Sequence, residues 1–283
     1  MGEHEIPTCL LRSGKRPPLS PLKEVNKVLL LTIPYEPVVF GIKINAHLVL
    51  EYLAFFIAFR YYVYLRNKST DTISANNRLS IIIGAIFGAL LLSRVVAFLE
   101  NPVLHAEQGW LYLLNNKTIM GGLFGGLLGV ELAKKIIGEK QSSGDLFTLP
   151  IILGIGIGRL GCFLAGTKEF TYGKETAFFL GIDLGDGVPR HPIALYEMVF
   201  LLLLFLLIRQ LQQREKCWPT GSFFKLFMVS YFSFRFFMEF LKPNSYFILG
   251  LSSIQYLCLI CLLYYRKFIL RGISYVAKKL YLL

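Results

Sequence analysis

Apolar residues run along this chain in blocks of about 20, separated by shorter polar, basic or glycine-containing breaks. The blocks fall near 44–65, 79–99, 118–137, 146–165, 192–211, 221–241 and 253–270. Each is long enough to cross a hydrocarbon core roughly 30 Å thick. Backbone groups in lipid find no water to satisfy them, so each block is expected to be helical. The pattern predicts an all-α polytopic membrane protein with about seven transmembrane helices. The longest break between blocks, 166–191, is rich in glycine and mixed in charge, and reads as a functional loop or arm. Ahead of the first block, 1–42 reads as an N-terminal extension to a membrane domain over 43–283. Its apolar runs at 28–33 and 38–42 are too short to span and are broken by Pro34 and Pro37. They suit an interfacial or re-entrant segment.

Composition agrees with this class. The chain is 54% hydrophobic over 283 residues, with mean hydropathy +0.55, more apolar than a soluble domain of its length. Its net charge is +12, and the placement of that charge matters more than its size. With the C-terminus cytoplasmic, Arg266, Lys267, Arg271, Lys278 and Lys279 share a side with Arg66, Lys68, Arg78, Lys134, Lys135, Lys140, Arg209, Arg214 and Lys216. The opposite loops hold Lys117, Lys168, Lys174, Arg190 and Lys242. That is a positive-inside distribution, so the basic excess serves topology and headgroup attraction and not nucleic acid. The basic N-terminal tail, ending in Lys43, falls on the other side and disagrees with it. The five cysteines form no disulfide framework, and neither a metal nor a cofactor is expected.

The informative positions are the charges within apolar blocks. Arg159 lies inside a glycine-studded run, where lipid exposure would cost several kcal/mol. It needs a protein interior, a watery cavity or an anionic partner, and a guanidinium suits phosphate. Arg235 and Glu239 share a helix face at i, i+4. They read either as a self-neutralising pair or as a second phosphate-binding arginine held by a carboxylate. Tyr196 and Glu197 follow His191 and Pro192 at a loop-to-helix boundary. Glu197 is expected to partner one of the arginines, while His191 either caps the helix or serves as a general base. His47 and Glu51, again i, i+4, are expected to pair with each other. Gly121 and Gly122, like Gly158 and Gly161, give small faces for close helix packing, and adjacent small faces also leave room for an acyl chain.

These residues resemble the bacterial prolipoprotein diacylglyceryl transferase family. The run GRLGCFLAGTKEFTYG at 158–173 is similar to the family's GRxGNF signature with its following asparagine, acid and glycine. GGLFGG at 121–126 resembles its HGGLxGG segment, and HPIALYE at 191–197 its HPsQLYE. Arg235 and Glu239, followed by Lys242-Pro-Asn, match its late R-x-x-x-E segment. The sequence departs from the family at Met120, where a histidine is expected, and at Cys162 and Ala165, where asparagines are expected. The family tyrosine of the first span falls near Asn45–His47 in ambiguous register.

The resemblance implies a multi-pass enzyme of the bacterial cytoplasmic membrane, with its arm region on the periplasmic side. Such an enzyme moves diacylglyceryl from phosphatidylglycerol to the cysteine thiol of a preprolipoprotein, whose signal peptide is a second partner. It implies Arg159, Arg235, Glu239 and His191 as catalytic residues. Gly158, Gly161, Gly121, Gly122, Tyr196, Glu197, His47 and Arg159 are implied as substrate-binding. Two alternatives keep the scaffold: a lipid transferase with another acceptor, and a non-catalytic phospholipid-binding or translocating protein.

Overall fold

A computed structural model describes residues 33–69, 73–100, 116–214, 218–243 and 248–272. The described residues belong to one compact unit, Ile33–Leu283. Residues 1–32 of the N-terminal extension lie outside the described residues, as do Cys9, Cys217, Lys278 and Lys279.

Helices stand where the apolar blocks predict them. They are α1 (Ala46–Lys68), α2 (Ala75–Glu100), α3 (Ile119–Ile137), α4 (Asp145–Ala165), α5 (Ile193–Arg214), α6 (Ser222–Met238) and α7 (Ser253–Tyr264). Four are long and apolar enough to cross a membrane: α1, α2, α4 and α5. A fifth joins them if α7 and the segment Arg266–Gly272, bent by 65° at Tyr265, count as one span. By these measures α3 fails because it carries Glu131, Lys134 and Lys135, and α6 because it has only 17 residues. The chain is a multi-pass membrane protein in which the seven expected blocks all become helix. Their outward faces are apolar and aromatic, as lipid contact requires. Tyr52, Phe55, Phe56 and Phe59 on α1 and Ile83, Phe87 and Leu91 on α2 are all exposed.

Local chemistry fixes several helix ends. The Asn45 side chain accepts from the Leu48 N–H at 3.1 Å, and Thr118 from the Gly121 N–H at 3.2 Å. Ser252 and Gln255 form a capping box at α7. Asp145 opens α4 yet accepts from the N–H groups of Gly221 and Phe224, at 2.6 and 3.0 Å, so one carboxylate ties the start of α4 to the start of α6.

α2 packs chiefly on α3, α1 on α4, and α4 on α5, while α6 supplies the centre with Phe227, Met228, Tyr231 and Phe232. The α2–α3 contact depends on glycines facing glycines. A Cβ on Gly125 would meet Leu92 Cβ at 2.6 Å and run into the Gly88 backbone, and one on Gly129 would strike Gly84. Gly121 sits on the same seam, against the Leu92 carbonyl and Ser93. At Gly122 a Cβ would reach, among the described residues, only Ser93 Cβ at 3.9 Å, an ordinary contact.

Two short hairpins decorate one end. β1 (Val38–Val39) pairs with β2 (Ile42–Lys43), and the Phe40 side chain at its tip is fully exposed. β3 (Ile182–Asp183) pairs with β4 (Pro189–Arg190) inside the long loop. There Asp183 Oδ1 accepts from the N–H groups of Gly185 and Gly187, at 2.8 and 3.0 Å, and these donors hold its carboxyl below the usual range. The loop returns to the bundle where α4 ends. Gly166 adopts φ +59°, a conformation that suits glycine, and Thr167 N donates to Leu184 O at 3.1 Å.

The glycine seam gives a prediction. Gly125→Val overpacks α2 against α3 and is expected to cost at least about 1–3 kcal/mol. Gly122→Ala, in ordinary contact distance, is expected to be near neutral. Thermal unfolding midpoints of the two variants in detergent check this, and equal midpoints would contradict the seam.

Candidate functional site

Four of the buried charges gather where α4, α5 and α6 meet. Arg159, Glu197, Arg235 and Glu239 are all buried, both glutamates completely. α6 presents Tyr231, Arg235 and Glu239 on one face at i, i+4, i+8 spacing. α4 brings Arg159 in through a stretch whose Gly156 and Gly158 have open space around them. α5 starts just after Pro192 and carries Glu197 one turn inside.

Glu197 joins these elements. Its Oε1 lies 2.7 Å from Arg159 Nε and accepts from the Tyr231 hydroxyl. Its Oε2 accepts from Arg235 Nη1 at 3.1 Å. Arg235 Nη2 donates in turn to Glu239 Oε1. Lys242, also buried, reaches Glu239 Oε2 at 3.9 Å and Glu100 Oε1, at the end of α2, at 3.5 Å. Arg235 Nε is buried without a hydrogen-bond partner among the described residues. Pairing of this kind is what a low-dielectric interior requires of charges.

The network continues on the other side of Arg159. Its Nη1 donates to Cys162 Sγ at 3.7 Å, and that sulfur lies 3.7 Å from His47 Nε2. His47 Nδ1 in turn faces Glu169 Oε1 at 3.3 Å. Gly161 makes this approach possible, since a Cβ there would meet His47 Cδ2 at 3.0 Å and its backbone at 3.2 Å. The expected His47–Glu51 pair does not form. Glu51 binds Lys117 across the bundle, and His47 turns to the segment after α4.

His191 stands apart from the arginines. Its Nδ1 lies 3.3 Å from the Tyr196 hydroxyl, and its backbone exchanges hydrogen bonds with Gly173 and Lys174. Gly173 approaches so closely that a Cβ would run into His191. Arg190 is held by Asp186 at 2.7 Å and Glu175 at 3.5 Å, and these carboxylates raise its affinity for its proton. Met120, at the family's histidine position, is fully buried in the apolar core with Phe124 and Phe232. Sequence reasoning missed Tyr231, Lys242, Glu100 and Glu169 as members of the network. Tyr231 was readable four residues before Arg235, and Glu169 as the acid of the signature run.

A family model described as prolipoprotein diacylglyceryl transferase matches residues 37–270. Among similar proteins, the phosphatidylglycerol–prolipoprotein diacylglyceryl transferase of Geobacter sulfurreducens is 34% identical over 58% of this chain and 61% of its own length. The proteins of that name from Clostridium tetani and Pseudoalteromonas atlantica are 32% and 33% identical, over 58% and 63% of this chain and 66% and 65% of their own lengths. The matches thus span a little under two thirds of those relatives. The chain belongs to the prolipoprotein diacylglyceryl transferase family.

The bridging role of Glu197 gives a prediction. Glu197→Gln leaves two buried guanidinium groups without the carboxylate they share, expected to cost about 3–5 kcal/mol. Glu175→Gln removes an exposed partner of Arg190 and is expected to cost under about 1 kcal/mol. Folded yield and unfolding midpoint in detergent report both, and a stable Glu197→Gln protein would count against the bridge.

Proposed function

We propose that this member of the family transfers diacylglyceryl from phosphatidylglycerol to the cysteine thiol of a preprolipoprotein, in the bacterial cytoplasmic membrane with the C-terminus cytoplasmic. The observation that carries this reading is the convergence of Arg159 and Arg235, from separate helices, on one buried carboxylate. Both arginines lie in segments that match the family's motifs, and the curated relatives carry this activity in their names.

The chemistry follows from charge. A thiolate attacks the glyceryl carbon that bears the phosphate ester, the C–S bond forms, and glycerol phosphate leaves with growing negative charge. Guanidinium groups fixed beforehand stabilise that charge without reorganising. Arg235 Nε is free to take a phosphate oxygen, and Glu239 and Glu197 hold the remaining donors in place. The network is close to neutral as it stands, because Glu197, Glu239 and Glu100 offset Arg159, Arg235 and Lys242. A bound phosphate must therefore share donors with those carboxylates, which favours a monoanionic diester headgroup over a more highly charged ligand. The loop 166–191 and the exposed Phe40 and Phe179 at the same end suit docking of an apolar signal peptide from the membrane surface.

A second reading keeps the lipid donor and changes the acceptor. Met120 puts a thioether in the apolar core where the family pattern has an imidazole, so the thiol-activating group differs.

Mass spectrometry of purified protein with phosphatidylglycerol and a lipobox peptide tests the proposal. The peptide is expected to gain one diacylglyceryl group. Arg159→Lys keeps a charge but loses the planar fork, so its turnover should fall at least about 10²-fold. A peptide left unmodified, under conditions where a conventional family enzyme modifies it, would refute the reading.

A further inference from the structure

We propose that Cys162, His47 and Glu169 form a nucleophile–base–acid relay through which this chain takes a fatty acyl group from a phospholipid ester onto the Cys162 sulfur. The inference shares with the proposed function only the phospholipid donor.

The geometry is that of an activated thiol. Sγ lies 3.7 Å from His47 Nε2, and the opposite ring nitrogen faces a carboxylate oxygen of Glu169 at 3.3 Å. A carboxylate on Nδ1 fixes the tautomer that leaves Nε2 free to accept a proton, the arrangement nucleophilic cysteines require. The three residues come from three places: the start of α1, the last turn of α4 and the segment after it. Gly161 removes the side chain that would otherwise keep His47 away from the sulfur. Arg159 Nη1, 3.7 Å from Sγ, supplies a fixed donor beside the point where a carbonyl oxygen would gain charge.

Beside Cys162 the wall of the bundle is apolar, formed by Phe163, Tyr172, Leu184, Ile193 and Ala194 around a narrow cleft, so an acyl chain would meet hydrocarbon there once these side chains part. Around His47, Asn45, Lys168 and Glu169 line a small hollow with room for about a water molecule. Attack at an ester carbonyl gives a thioester, which can be passed on. Attack at the glyceryl carbon would leave a thioether, which cannot readily be.

His47 Nε2 takes the Cys162 thiol proton, and the sulfur adds to the acyl carbonyl. The tetrahedral oxyanion collapses, the C–O bond to glycerol breaks, and His47 returns the proton to the glyceryl oxygen. A lysophospholipid leaves, and Cys162 carries the acyl group. Water, an alcohol or an amine then attacks the thioester, the C–S bond breaks, and the proton returns to sulfur through His47. Glu169 is a positioning residue.

Two donors test this with the full chain in detergent: phosphatidylglycerol vesicles, and p-nitrophenyl decanoate, which has no phosphate headgroup. With the nitrophenyl ester, a burst of one nitrophenolate per chain is expected. The Cys162 peptide should then carry one decanoyl group that neutral hydroxylamine removes. With phosphatidylglycerol, the same peptide should carry a fatty acyl group, with lysophosphatidylglycerol released. Cys162→Ala should abolish the burst, and His47→Gln should slow it by about 10²–10⁴-fold. Glu169→Gln should slow the burst without changing half-saturation, and Glu169→Asp should restore it. Peptide mapping of the unsubstituted chain locates the adduct even where a variant fails to fold. An unmodified Cys162 with either donor, or a hydroxylamine-resistant diacylglyceryl group on it, would overturn the proposal. Transfer to a lipobox peptide without acylation of Cys162 would leave the proposed function standing and remove this inference. Acylation from the nitrophenyl ester in a chain that leaves the lipobox peptide unmodified would remove the proposed function and keep the thiol.

Discussion

The Glu197 carboxylate is the constraint on which the centre of the bundle depends. Two guanidinium groups in a low-dielectric interior repel one another and carry a large desolvation cost. One carboxylate between them, with the Tyr231 hydroxyl as a third donor, turns that liability into a cross-brace joining α4, α5 and α6. Such a brace is weak evidence of net stability, because an apolar core of equal volume would serve as well. It does fix geometry. Arg159 cannot swing toward lipid without giving up the Glu197 carboxylate, so its remaining donors stay directed toward Cys162 and the loop-bearing end. Rigid placement of charge is what a site that stabilises a leaving phosphate needs.

Close helix approach is the second requirement, and glycine meets it in two different ways. Along α2 and α3, facing glycines bring backbones together, so that the GGLFGG run serves helix packing at Gly121 and Gly125. In α4, Gly161 admits the His47 ring, whereas Gly156 and Gly158 leave open space. One residue type therefore brings two backbones together on α2 and α3 and admits an imidazole ring on α4. Spacing alone does not separate these uses, because both require small residues three or four apart.

How much of this was legible follows from the range of each interaction. Helices were readable because an apolar block of about 20 residues leaves lipid-exposed backbone no other solution. The bend at Tyr265 was hidden, since neither proline nor glycine marks it within the block at 253–270. The hairpin at Val38–Lys43 was hidden because two-residue strands carry no periodicity. Among the site residues, i, i+4 spacing found Arg235–Glu239, which does pair, and suggested His47–Glu51, which does not. Helical spacing sets proximity on one surface, whereas a buried charge chooses its partner across the bundle. That Glu197 needs an arginine was readable from its cost in an apolar block; that it takes two was not, because the partners lie 38 residues apart in sequence on either side.

Two departures from the family pattern fall in different surroundings. Met120 fills the apolar core and brings no imidazole to the charged cluster. An imidazole reaches that cluster from α1 instead, as His47, and it meets the cysteine that stands where the family pattern has asparagine. An asparagine in contact with Arg159 and a histidine offers amide donors and acceptors but no nucleophile. A thiol in the same contacts offers one, with base and orienting carboxylate already aligned. Neither substitution alone creates reactivity: His47 without Cys162 would pair with Glu169 as an interfacial salt bridge, and Cys162 without His47 would be one more small buried side chain. Joined through Arg159 to the Glu197 brace, the two place a nucleophile on the same arginine that the family resemblance assigns to phosphate. On the two proposals above, headgroup binding and thiol chemistry share the Arg159 side chain, so a substitution there is expected to affect both.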